Sequence, residues 1–253
     1  MTIKRDFVAQ ERAALADAFA ECGPDQPTLC EGWQTRDLLQ HLVLRDAGPL
    51  IAVREGKDHA EARVREAAWA DLIQEFRDGP PSGSLFRLPG ANTAANSEEF
   101  FVHHEDVRRG VPGWTRRELS CEIEDAIWRR LRSPFGRIAA RRAGVGLHLH
   151  RSDGVSGEAE DGHDGAAGAA APHAGDAPQP DDGGKPGAER PVIPDRFARG
   201  EHATLRAKRP GVIVSGPPSE LLMFLFGRQR AADVTLHGPA EAVEQLMHAE
   251  LGI

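Results

Sequence analysis

The chain has 253 residues and a hydrophobic content of 40%, which allows one large folded domain or two small ones. Its formal net charge of −8 is unevenly distributed: residues 156–190 carry eight acidic and two basic side chains, so the remainder is close to neutral and gives no case for a nucleic-acid-binding surface. No apolar run reaches the roughly 18 residues that a membrane-spanning helix needs. The first residues do not resemble a secretory signal. For these two reasons we expect a cytoplasmic protein.

The first half of the chain has the periodicity of helices. Apolar side chains recur every three or four positions over residues 2–22, from 35 to an interruption at Gly48-Pro49, over 59–76 and over 94–109. Further helices are predicted over 119–131 and, shorter, near Ile138. The number of helices suits a four-helix bundle with one or two additions, which we assign to residues 1–144.

The pattern changes after residue 144. Residues 145–150 alternate apolar and polar side chains like a strand, and short strands are also predicted at 203–207, 212–214 and 232–236. Helices are predicted at 220–226 and 240–249. Residues 145–155 and 191–253 therefore form a small α+β domain, in which the strands on either side of residues 156–190 pair with each other. The predicted fold class is α+β with two domains.

Residues 156–190 separate these two parts of the small domain. They contain no Leu, Ile, Val, Phe, Met or Trp and consist mainly of Gly, Ala, Asp and Pro. Such a segment cannot bury enough apolar surface to offset the entropy lost on ordering. We predict a disordered acidic insertion here.

The segment around Glu99 and His103 is the sharpest candidate for chemistry. The two residues are four apart, so on a helix their side chains share one face and can bind one ion. Asp106 lies on the same face and can accept a hydrogen bond from the ring N–H of His103, which fixes the imidazole tautomer. His104 points about 100° away and is predicted to lie outside the ligand set.

A third ligand has to come from another helix. His41 lies within the apolar stripe of the second helix and is predicted to point inward, towards Glu99 and His103. Two imidazoles and one carboxylate leave coordination positions open, as in catalytic zinc sites, and the same set suits ferrous iron or nickel. The three cysteines are widely spaced without a CxxC pair, so neither a thiolate zinc site nor a disulfide framework is predicted.

Simpler interpretations compete with a metal site. An inward histidine is more often a hydrogen-bonded core residue, and Glu98, Glu99, Glu105 and Asp106 can form a solvated face paired with Arg108 and Arg109. His148 and His150 share one strand face, with no partner evident from the sequence. No GxSxG, Walker A or GxGxxG motif is present.

Three segments resemble the mycothiol-dependent maleylpyruvate isomerase family. Residues 29–42 (LCEGWQTRDLLQHL) resemble the segment around its first metal ligand, with a Gly-Trp, an Asp-Leu and a His-Leu pair in order. Glu99, His103 and Asp106 resemble its second metal motif, and residues 214–228 (VSGPPSELLMFLFGR) resemble its C-terminal-domain signature. These segments span nearly the whole chain apart from the insertion, which is not a hallmark of the family.

The resemblance implies a fold and a site. It implies a DinB-like four-helix bundle followed by a small α/β domain, with His41, Glu99 and His103 in the places of the metal ligands, usually zinc. Arg228 falls where the family has an arginine implicated in activity. The implied reaction uses mycothiol or a similar low-molecular-weight thiol on a small electrophile, by isomerisation or S-transfer.

A different class of function stays open. The same metal ligands can serve a non-catalytic sensor or small-molecule carrier. If the protein is an enzyme, we expect an open coordination position on the metal that faces a cleft within reach of Arg228. If the site is a sensor or structural site, we expect a fourth protein ligand to the metal, such as Asp106 or Cys30. The substrate, the metal and the oligomeric state are not predicted by the sequence.

Overall fold

The computed structural model describes residues 2–82, 84, 91–152 and 201–252. Within these ranges the protein combines helices with one four-stranded sheet, and its N-terminal part is helical. The mixed fold class is therefore confirmed, whereas the DinB-like bundle and the two-domain division remain predictions. The predicted insertion at 156–190 lies outside the described residues.

Five helices are present among the described residues of the N-terminal part. They are α1 (Thr2–Cys22), α2 (Thr35–Glu55), α3 (Lys57–Glu66), α4 (Trp69–Asp78) and α5 (Ala91–Arg108). Helix α1 packs against α4 and α5, and α2 packs against α3 and α4. Fully buried side chains of α1, α2 and α4, among them Phe19, Leu38 and Phe76, share one hydrophobic core.

Two predicted helix boundaries were wrong. Helix α2 continues through Gly48-Pro49 to Glu55, although a proline inside a helix removes one backbone donor and crowds the carbonyl four residues earlier. The predicted helix over 59–76 is two helices, since Ala67 and Ala68 have extended backbone with ψ of 144° and 146°. Alanine favours helices, so the local sequence gives no signal for this break.

The second part combines helices with the sheet. It contains α6 (Cys121–Leu131), α7 (Pro134–Ala139), a 3-10 turn (Ala140–Arg142), β1 (Gly146–Arg151), β2 (Glu201–Arg206), β3 (Gly211–Gly216), α8 (Pro218–Leu225), β4 (Thr235–His237) and α9 (Ala240–Met247). The strand order is β2-β1-β3-β4, with β1 and β3 parallel and the outer pairs antiparallel. The predicted pairing across 156–190 is confirmed by Leu149 opposite Ala203.

Helix α8 connects the sheet to the helical part. Every residue of α8 is buried, and the helix contacts α5, α6 and β3. Apolar side chains of β1 and β3, such as Leu149 and Val214, belong to the same core as Leu221 and Phe224 of α8. The segment that follows α8 carries Arg228 and reaches α5, which is how distant parts of the sequence meet at one site.

None of the helices in the described ranges combines the length and the hydrophobicity that a membrane crossing requires.

Candidate metal centre

Side chains of α2 and α5 converge on one point. The Nε2 atom of His103 lies 3.3 Å from Oε1 of Glu99, and the Nε2 atom of His41 lies 3.8 Å from the same oxygen. Ligand atoms from all three side chains lie within 4.8 Å of one another. The structure therefore brings together the three residues that the sequence singled out.

The spacing of these atoms can be compared with a metal coordination shell. Zinc binds imidazole nitrogen and carboxylate oxygen at about 2.0–2.2 Å, so two ligands of a tetrahedral ion lie about 3.4 Å apart. The distances of 3.3 and 3.8 Å to Glu99 Oε1 bracket that value. The donor set also has the chemistry that zinc accepts, and it fits a divalent ion with small side-chain adjustments.

The start of α2 fixes the position of His41. The backbone N–H of Gln34 donates to Asp37 in a capping box, and the buried Thr35 hydroxyl donates to the Gly23 carbonyl at 2.6 Å. A helix whose first turn is anchored in this way places a residue two turns later reproducibly. On α5, the four-residue spacing of Glu99 and His103 puts both on one face.

Asp106 holds the second ring nitrogen of His103. Its Oδ2 atom lies 2.9 Å from Nδ1 of His103, and its side chain is fully buried. Asp106 in turn receives hydrogen bonds from Nε and Nη2 of Arg228, at 2.8 and 2.5 Å. With Nδ1 donating to Asp106, the Nε2 side of His103 faces Glu99, as a metal ligand would.

A second group of possible ligands overlaps the first. Cys30, His103 and Asp106 also have atoms within 4.8 Å of one another. However, the guanidinium of Arg228 already lies against Asp106 and 3.3 Å from the Cys30 sulfur. A cation here would have to displace the partly buried positive charge of Arg228, so the group of His41, Glu99 and His103 is the better metal candidate.

The charges of the ligands are strongly coupled. Burial raises the pKa of Glu99, but hydrogen bonds to His103 and His41 and the charge of Arg45 outweigh it and hold this pKa far below its ordinary value. Burial lowers the pKa of His103, yet hydrogen bonds to Asp106, Cys30 and Glu99 raise it to about 10. His103 therefore carries a proton when no metal is bound.

The structure agrees with the predicted orientations only in part. His41 faces Glu99 and His103 as predicted, but its side chain beside Trp33 is 39% exposed rather than buried. The alternative of a solvated acidic face on α5 is contradicted, because Glu105 has no exposed surface, although its pairing with Arg108 and Arg109 is observed. His104 pairs with Glu11 and lies outside the ligand group, in agreement with its prediction.

Sequence reasoning missed two neighbours of the centre. Nε of Arg45 lies 3.3 Å from Oε1 of Glu99, and the ring centroid of the 38% exposed Trp33 lies 5.3 Å from that of His41. Arg45 follows His41 by four residues on α2, so the same spacing rule that grouped Glu99 with His103 could have identified it. The exposed Trp33 gives the centre an aromatic rim.

Replacing Asp106 with asparagine is expected to weaken zinc binding by about 10–100-fold, because the variant loses the carboxylate that fixes the His103 tautomer. Isothermal titration with zinc measures the change. Asp71→Asn, which alters an exposed carboxylate at the start of α4, is the control and is expected to bind zinc like the parent. Equal affinities for all three proteins would contradict the role of Asp106.

Comparison with known proteins adds one finding. Residues 8–99 match the family model described as the mycothiol maleylpyruvate isomerase N-terminal domain. The matched region includes His41 and Glu99 and ends before His103. Searches of curated proteins and of solved structures found no match.

Proposed function

Since the chain belongs, through residues 8–99, to the mycothiol maleylpyruvate isomerase family, we propose that it is a divalent-metal-dependent enzyme that activates a low-molecular-weight thiol. The thiol is mycothiol or a close relative, and it reacts with a small electrophile by isomerisation or S-transfer. His41, Glu99 and His103 hold the metal in this proposal. The observation that carries it is the convergence of two imidazoles and one carboxylate at the spacing of a coordination shell.

The three-residue ligand set leaves room for an exogenous ligand. When bound, an ion such as zinc lowers the pKa of a thiol, so that the thiolate is available near neutral pH. The partly exposed side of His41 supports access from solvent. Cys30 and Asp106, the residues best placed to complete a closed shell, are instead engaged with Arg228. This arrangement favours an enzyme over a closed sensor site.

The chain's own residues have separate tasks. Asp106 keeps Nδ1 of His103 protonated, and Arg228 keeps Asp106 ionised and in place. Arg45 offsets part of the negative charge of Glu99, and Trp33 offers an aromatic surface at the open side. The thiolate sulfur adds to an electrophilic carbon; rotation and elimination of the thiolate give an isomer, whereas protonation of the adduct gives S-transfer.

Arg228 is the residue proposed from sequence to act on substrate. Its guanidinium has five N–H groups, and contacts with Asp106, Phe226 and Cys30 account for four of them. Arg228 thus acts first as a positioning residue for Asp106. The remaining N–H of Nη1 can still donate to a substrate carboxylate.

Metal analysis of a His41→Ala variant tests the proposal. The parent protein is expected to hold close to one zinc or similar ion per chain, and the variant far less, because one of three ligands is lost. His59→Ala removes an exposed histidine of α3 and is the matched control, with metal content expected to equal that of the parent. Unchanged metal content in His41→Ala would show that the ligand set is misassigned.

Following both conversion of the electrophile and consumption of the thiol separates the enzyme from a non-catalytic carrier or sensor, because S-transfer consumes the thiol whereas isomerisation regenerates it. The metal-loaded parent is expected to accelerate the reaction of mycothiol with activated alkenes such as cis-enediones, and His41→Ala is expected to lose this rate. Metal binding without any acceleration across the panel would favour the carrier or sensor.

A further inference from the structure

A cavity of about 270 Å³ lies next to the metal centre but outside its ligand group. Leu29, Arg228, Arg230, Met247 and His248 are among the residues that line it. The lining contains two arginines and one histidine and no acidic residue. Arg228, which contacts Asp106 on the far side of His103 from Glu99, is the link between the cavity and the metal ligands.

The walls of the cavity are held rigidly. The buried Gln229 donates from Nε2 to the Ala249 carbonyl at 2.6 Å, which ties the segment after α8 to the end of α9. Nη1 of Arg109 donates to the Ala231 carbonyl at 2.7 Å, and the Leu29 N–H donates to the Asp106 carbonyl at 3.1 Å. A cavity fixed by such contacts loses little freedom when a ligand binds.

Arg230 differs from the other arginines of this region. Arg109 and Arg228 are committed to buried carboxylates, whereas Arg230 is exposed and has no ion-pair partner among the described residues. An unpaired guanidinium on a cavity wall offers a planar fork that matches a carboxylate. Leu29 and Met247 add apolar surface for a short carbon chain.

From these features we infer that the cavity is a binding site for a small molecule bearing a carboxylate, with Arg230 as its anchor. Its volume of about 270 Å³ lies just below the range of pockets that take drug-sized ligands, so it suits a short-chain carboxylate. The site is separate from the three metal ligands, so binding needs no metal. The inference goes beyond the proposed function and does not depend on it.

Titration of the metal-free full-length protein with succinate tests the inference. Succinate is expected to bind saturably, and its uncharged diamide is expected not to bind. Arg230→Gln is expected to raise the dissociation constant for succinate at least tenfold, because a charged hydrogen-bond pair is lost. Arg116→Gln removes an equally exposed arginine away from the cavity and is expected to stay within twofold of the parent.

Three outcomes would overturn the inference. They are an Arg230→Gln variant that binds succinate like the parent, a diamide that binds as well as succinate, and a parent that shows no saturable binding up to tens of millimolar. Zinc content, measured on the same preparations, reports separately on the proposed function. Arg230 is exposed, so its replacement is expected to leave the unfolding curve unchanged.

Discussion

The affinity of the protein for zinc is expected to rise about tenfold for each pH unit between pH 7 and pH 8.5. Hydrogen bonds to Asp106, Cys30 and Glu99 raise the pKa of His103 to about 10 against the effect of burial, so its ring is protonated throughout this range. A metal ion at Nε2 displaces that proton, and displacement becomes easier as the pH approaches the pKa. Competition with a chromogenic chelator, corrected for the chelator's own protonation, measures the slope.

The Asp106→Asn variant is the internal control for this slope. Asp106 makes the leading contribution that raises the pKa of His103, so the variant is expected to show a weaker pH dependence over the same range. A zinc affinity of the parent that does not change from pH 7 to pH 8.5 would mean that His103 gives up no proton on binding. Such a result would contradict a metal-free state in which the raised pKa keeps the His103 ring protonated over this range.

The proton on His103 has a clear role in the metal-free protein. Glu99 and Asp106 are carboxylates on either side of the His103 ring, and both have a lowered pKa. In the metal-free protein, the protonated ring of His103 supplies a positive charge between these two carboxylates. In the metal-bound protein, the ion beside Glu99 would supply that charge instead. Because the raised pKa of His103 keeps its ring protonated near neutral pH, a metal ion has to displace this proton in order to bind.

The sequence predicted the parts of the site that depend on local spacing. Glu99, His103 and Asp106 lie on one helix, and their contacts follow from positions three and four apart. His41 was placed from its helix and from the family resemblance, but its exposure depends on what packs over the edge of α2 and was predicted wrongly. The strand pairing of β1 with β2 was predicted because both flank one biased segment.

Contacts between distant residues left no local signature. Arg228 meets Asp106 across 122 positions, and this contact depends on how α8 packs between the sheet and α5. The same packing buries Glu105 and Arg109, which from sequence alone resemble solvent-exposed helix positions. The burial of α5 thus depends on α1, its main packing partner, and at its C-terminal end also on α8, an element more than 100 residues later in the chain.

Replacing Glu220 with glutamine is expected to lower the free energy of unfolding by about 3 kcal/mol. Glu220 on α8 accepts two hydrogen bonds from Arg109 of the α5 C-terminus, at 2.9 and 2.7 Å, and both side chains are 1% exposed. The substitution leaves the guanidinium of Arg109 buried with one of its two carboxylates missing. Urea unfolding followed by tryptophan fluorescence measures the loss.

A surface pair of the same geometry provides the control. Arg63 donates two hydrogen bonds to Glu75 at 2.8 and 3.0 Å, but these side chains are 42% and 35% exposed. Glu75→Gln is expected to change stability by less than about 1 kcal/mol, since water screens the exposed charges. The two variants differ mainly in the burial of the ion pair that they disrupt. Equal losses of unfolding free energy would therefore show that burial does not set the contribution of the Arg109–Glu220 pair to stability. A larger loss for Glu220→Gln, accompanied by weaker zinc binding, would identify α8 as the element that carries stability from the sheet to the metal ligands.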